Sequence, residues 1–83
     1  MQDDKRLGII GIVISELGKA QEVNEIIHEF SDTIVARMGI PYKERNVSVI
    51  SLLVDGANDR ISAMTGKIGA IPNVTAKSML HKQ

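Results

Sequence analysis

The chain has no cysteine, only two aromatic residues and no excess of charge of either sign. Without cysteine it has no disulfides, no thiolate nucleophile, no iron–sulfur ligation and none of the common structural zinc sites. Ten basic residues balance ten acidic ones, and Phe30 and Tyr42 do not form a stacking platform for bases. We therefore expect no direct binding of nucleic acid.

Long apolar runs are also missing. The longest covers roughly nine residues, which is too short to span a bilayer, so we expect no membrane partner. The start MQDDKR contains acidic residues and no extended apolar segment, so we predict no signal peptide. These features favour a soluble cytoplasmic protein.

The 83 residues predict a single domain, 1–83, close to the size at which a core becomes self-sufficient. Periodicity predicts strands at 7–15, 33–40, 47–54 and 74–80, because these runs are short and apolar or alternate in polarity. One helix is predicted over 20–31, and a second from an N-cap at Asn58 to a C′ glycine at Gly69. The apolar stripes of the two helices are Val23, Ile26, Ile27 and Phe30, and Ile61, Met64 and Ile68.

This order, β-α-β-β-α-β, predicts an α+β fold, a ferredoxin-like βαββαβ sandwich with a four-stranded antiparallel sheet and two helices on one face. Segments 7–15 and 47–54 are apolar at both odd and even positions. Such runs are typical of strands covered on both faces. The helices can cover only one face, so we expect a homo-oligomer, a dimer or tetramer joined through sheet faces or edges. A partner chain or lipid is the alternative cover.

The sequence offers few candidates for catalysis. Its two histidines, His28 and His81, lie on the polar side of the first helix and in the tail, and neither belongs to a metal-ligand or nucleophile motif. We therefore predict no catalytic residue, no metal site and no cofactor.

The segment RMGIPYKER at 37–45 is the candidate recognition site. We predict that Arg37, Tyr42 and Arg45 bind an effector or partner, with Gly39 and Pro41 shaping the turn. Arginine presents a planar fork of donors that suits carboxylate or phosphate, so a small anionic effector or an acidic protein surface is the expected complement. The alternative is an ordinary solvated hairpin held by ion pairs.

The segments VNEIIHEF at 23–30, RMGIPY at 37–42, VSVIS at 47–51 and AMTGKIG at 63–69 resemble the family of iron-only hydrogenase system regulators. That family is similar in fold to ACT domains and to the C-terminal domain of nickel-responsive repressors, which assemble through their sheets and sense small ligands. The repressors hold their metal with histidines, whereas segments 33–40 and 47–54 have none. The resemblance therefore does not imply nickel sensing.

The resemblance implies a small, non-catalytic regulatory or sensory domain that binds an effector or a hydrogenase-associated protein. Two alternatives stay open: a structural module that assists assembly, and a small enzyme of the dimeric α+β-barrel type. A polar cluster on the uncovered sheet face would favour the enzyme, but that face contains only Ser48 or Ser51 among aliphatic residues.

Overall fold

The computed structural model describes residues 5–81. Its strands are β1 (Lys5–Ile14), β2 (Ile34–Tyr42), β3 (Val47–Ala57) and β4 (Val74–His81), and its helices are α1 (Ala20–Glu29) and α2 (Asn58–Gly69). All neighbouring strands are antiparallel, in the order β2-β3-β1-β4. The predicted ferredoxin-like arrangement is therefore confirmed.

The core lies between the two helices and one face of the sheet. Alternate residues of β1 and β3 point toward the helices and are buried, for example Ile12 and Leu52. The predicted helix stripes meet them. Buried are Val23 and Ile27 of α1, Phe30 just after it, and Ile61, Met64 and Ile68 of α2, whereas Ile26 is partly buried against the same core. Burying each large apolar side chain contributes about 1.5–3 kcal/mol, so this layer stabilises the fold and fixes both helices on the same face.

Phe30 anchors the contact between the helices. The Arg60 guanidinium lies 4.7 Å from the centre of its ring and the Lys67 ammonium 5.7 Å from it. Arg60 also pairs with Asp32 at 2.7 Å, and Lys67 with Glu29 at 3.0 Å. These ion pairs are exposed and contribute little alone, but they hold two cations over a buried ring.

A β-bulge in β2 corrects the face assignment made from sequence. Alternation predicts that Ile34 shares a face with Ala36, Met38 and Ile40. In the structure the register shifts between Ile34 and Ala36, so that Ile34 pairs with Val54 while Ala36 pairs with Leu53. Ile34 packs against the core, whereas Ala36 and the residues in phase with it lie on the opposite face. The extra residue, Val35, changes the phase of the strand.

The ends of several elements also differ from prediction. α2 begins at Asn58 itself, its N-cap is Ala57, and no side chain caps it. Gly69 is the last residue of α2 rather than a C′ glycine, and Ala70 follows in a right-handed conformation. Gly66 lies inside α2, and packing does not require a glycine there, because a Cβ would meet nothing within 4 Å.

The hairpin between β2 and β3 has a shorter turn than expected. Pro41 and Tyr42 still belong to β2, and a 3-10 turn over Lys43–Arg45 leads to Asn46, whose φ is 57°. Asparagine is one of the few residues that adopt this left-handed conformation readily. Pro41 lies on β2, which is at the edge of the sheet, where proline is tolerated in strands.

Candidate functional site

The sheet face opposite the helices, which we call the free face, is apolar and uncovered. It is formed by the outward residues of all four strands, paired across the sheet as Ile40–Val49–Val13 and Ala36–Leu53–Ile9–Met79. Most of the exposed large apolar side chains lie here, and Met38 and Met79 are 59% and 63% exposed. No element of residues 5–81 packs on this face.

The polar residues of the free face lie mostly toward its borders. Lys77 is on edge strand β4, Asp55 lies near the end of β3, and Ser51 is the polar side chain near the middle. Next to Ser51, Gly11 leaves a shallow gap, because a Cβ there would find nothing within 4 Å. An apolar centre bordered by charges of both signs is the usual composition of a protein interface.

The structure separates the three residues predicted to form the recognition corner. Arg37 pairs with buried Leu52 and therefore lies on the helix side of the sheet, whereas Tyr42 pairs with Val47 and lies on the free face. Arg45 ends the 3-10 turn at the tip of the hairpin. Their roles in binding remain predictions, now at distinct places along β2 and its turn.

Local contacts differ among these side chains. Arg37 Nη2 donates a hydrogen bond to Asn24 Oδ1 of α1 at 3.0 Å. The Tyr42 hydroxyl donates to Glu44 Oε1 at 2.8 Å. Arg45 makes no ion pair or hydrogen bond with any residue that the structure describes, so its guanidinium is free to meet an external anion.

Gly39 and Pro41 follow Arg37 on the helix side of β2, in phase with it. A Cβ at Gly39 would only touch Ile50 Cγ1, at 3.9 Å. Packing therefore does not require a glycine at this position, and the shaping role of Gly39 stays a prediction.

Neither histidine joins a cluster that could hold a metal. Within residues 5–81 there is no group of three or more His, Cys, Asp or Glu side chains arranged for a metal ion. His28 is exposed on α1. His81 was expected in the tail that follows the last strand, but it is the last residue of β4 and pairs with Leu7. None of the helices in the described range is long and apolar enough to cross a membrane.

Two features of the site were missed from sequence. Asn24 was given no role from the sequence, yet its side chain accepts the hydrogen bond from Arg37. The bulge at Val35 has no strong local signal, because Val35 suits a regular strand as well as a bulge. Both depend on where β2 lies relative to α1 and β3.

The fold and the free face define a class of protein: a small ferredoxin-like α+β domain with an apolar sheet face that no element of residues 5–81 covers. Residues 6–78 match the TM1266-like family, described as "Iron-only hydrogenase system regulator, putative", and the chain belongs to that family. The resemblance seen in the sequence is thereby confirmed.

Solved structures agree with this assignment. The uncharacterized protein TM1266 from Thermotoga maritima is 38% identical, with a TM-score of 0.88 over 94% of this chain and 99% of that one. The divalent ion tolerance protein CutA1 from Ehrlichia chaffeensis is 11% identical, with a TM-score of 0.50 over 95% of this chain and 84% of that one. At this identity CutA1 shows similarity of fold alone. A search of curated proteins gave no match.

Proposed function

We propose that this chain is a non-catalytic regulatory domain of an iron-only hydrogenase system, which assembles with itself through the free face and acts by binding an effector or a partner protein. The observation that carries the proposal is an apolar sheet face left uncovered in a member of a family described as regulators. A contiguous apolar patch bordered by polar residues is typical of a site for protein–protein contact.

A second copy of the chain is the occupant proposed for the free face. Four strands spaced about 4.8 Å apart, each about eight residues long at about 3.3 Å per residue, give a footprint of about 500 Å². Two such faces bury about 1,000 Å², which is the lower limit for a specific interface. The zero net charge and the mixture of Lys77 and Asp55 on this face do not oppose self-association.

The three predicted recognition residues are proposed to contact two different ligands, a small effector and a partner protein. Arg37 faces α1, where a small anionic effector is the expected ligand. Tyr42 and Arg45 lie at the end of the hairpin, and Lys43 adds a second cation to that turn. An acidic surface of a hydrogenase-associated protein is the complement proposed for the hairpin end, since an exposed arginine and a tyrosine are common anchors in interfaces.

The test is a deletion of the gene in its native cell, with hydrogenase transcript, polypeptide and activity measured separately. A regulator changes the amount of transcript or polypeptide, and the wild-type gene restores it. An assembly module leaves both amounts unchanged and lowers only the activity. No change in any of the three contradicts the proposed function.

Matched variants connect this result to the hairpin. Arg45→Ala removes the unpaired guanidinium, and we expect it to restore regulation poorly. Arg60→Ala removes an arginine that already pairs with Asp32, so it is the control for loss of charge. Equal complementation by both variants would remove Arg45 from the proposal.

A further inference from the structure

A groove runs between α1 and the first half of the edge strand β2. Its volume is about 390 Å³, within the range of sites for small molecules. It is lined by Asn24, Ile27, His28, Ser31, Ile34 and Arg37. Ile27 and Ile34 form an apolar floor, and the other four side chains bring polar groups to its border.

The bulge in β2 is what brings Arg37 to this groove. Ile34 faces the core opposite Val54, so in a regular strand Arg37, three residues later, would fall on the free face. The extra residue, Val35, reverses the phase, and Arg37 instead pairs with buried Leu52 on the helix side. Bulges are frequent beside functional sites because they redirect a side chain in this way.

The guanidinium of Arg37 has no carboxylate partner among residues 5–81. It donates to the neutral Asn24 Oδ1 at 3.0 Å, and no Asp or Glu lines the groove. Two carboxylates of α1 have other contacts: Glu25 accepts a hydrogen bond from Gln21 at 3.4 Å, and Glu29 pairs with Lys67 at 3.0 Å. Arginine has five N–H donors, so several remain for a ligand.

We propose that this groove binds a small molecule through a carboxylate or phosphate group. Arg37 holds the oxyanion in its fork, Asn24 fixes the guanidinium, and His28 and Ser31 supply further donors from α1 and its end. The apolar floor contacts the remainder of the ligand. The inference deepens the proposed function, because it locates the effector site and names the chemistry of the effector.

The experiment is an NMR titration of the full chain with sodium phosphate and, separately, sodium acetate, against sodium chloride at equal ionic strength. Saturable shifts are expected for the Arg37 Nε–H and the Asn24 side-chain amide with at least one oxyanion and not with chloride. The two arms show whether phosphate or carboxylate is preferred. Non-saturable shifts with both oxyanions, or equal shifts with chloride, overturn the proposal.

Variants test the role of the fork. Arg37→Lys keeps the charge but loses bidentate geometry, and we expect the dissociation constant to rise about 10-fold, as for one lost charge-assisted hydrogen bond. Arg37→Gln should abolish saturation, whereas Arg60→Gln, the control, removes an arginine that pairs with Asp32 and does not line the groove, so it should leave the dissociation constant unchanged. Each variant's amide spectrum reports whether it is folded. Equal binding by Arg37→Lys and wild type overturns the assignment.

Failure of this proposal can be distinguished from failure of the proposed function. The titration needs no hydrogenase, and the deletion needs no known ligand. If the deletion alters hydrogenase amounts and the purified chain binds no anion, the regulatory function is supported and the anion site in the groove is contradicted. If binding is saturable and the deletion has no effect, the anion site is supported and the regulatory function is contradicted.

Discussion

Ile9→Lys is the most direct test of the assembly through the free face. Ile9 lies on the central strand β1, between Leu53 and Met79 on the free face, and is 44% exposed in the single chain. A lysine there remains in water in the monomer and should cost less than about 1 kcal/mol of folding stability. In the assembly the same ammonium would lie between two apolar sheets.

The expected effect on assembly is large. An unpaired buried charge costs several kcal/mol even after relaxation, and a symmetric pair buries two of them. At about 3 kcal/mol for each, the dissociation constant rises by about 10⁴. Sedimentation velocity at micromolar concentration should therefore show an oligomer for the wild type and a 9.0 kDa monomer for Ile9→Lys.

A matched substitution controls for a general effect of the added positive charge. Ser62→Lys places the same ammonium on an exposed position of α2, and it should leave the mass of the assembly unchanged. A monomeric wild type, or an Ile9→Lys variant with the wild-type mass and a wild-type melting curve, would refute the assignment of the free face as the interface.

Three other predictions concern stability, nucleic acid and metal. Gly8→Ala should lower the free energy of unfolding measured in urea by about 1–3 kcal/mol, because its Cβ would lie 2.5 Å from Leu80 Cδ2 and from the Met79 carbonyl oxygen. The control, Gly11→Ala, meets open space and should cost nothing. Equal stabilities of the two variants would contradict this reasoning. The isolated chain should show no submicromolar, salt-dependent binding to hydrogenase promoter DNA in fluorescence anisotropy, and tight binding would refute the argument from its charge balance. Protein purified without an affinity tag should contain no stoichiometric nickel, iron or zinc by mass spectrometry, and a one-to-one metal content would overturn the absence predicted from the sequence.

The order of elements could be predicted because its signals are local. The apolar stripe that contains Val23, Ile27 and Phe30 spans only a few helical turns, and the alternation of β4 spans only a few residues. The helix and the strand that they predict are both confirmed. The ends of α2 were less predictable. Asn58 and Gly69 are residue types that favour helix caps. In the structure β3 continues to Ala57, which is the N-cap, so Asn58 and Gly69 are the first and last residues of α2 instead of its caps.

The candidate site shows the same division. Arg37, Tyr42 and Arg45 could be selected from sequence by chemistry and proximity along the chain. Their separation on opposite faces and at the turn could not, because residues close in a strand alternate between faces and one bulge reverses the alternation.

The class of fold and the apolar character of both sheet faces could be read from the residues alone, since two strands are apolar at both odd and even positions. Which residues share each surface depends on how the elements pack together. The bulge at Val35 directs Arg37 toward Asn24, which is 13 residues away in the chain. The reason is physical: periodicity reports the phase within a segment, whereas the register between segments is set by packing of the whole core.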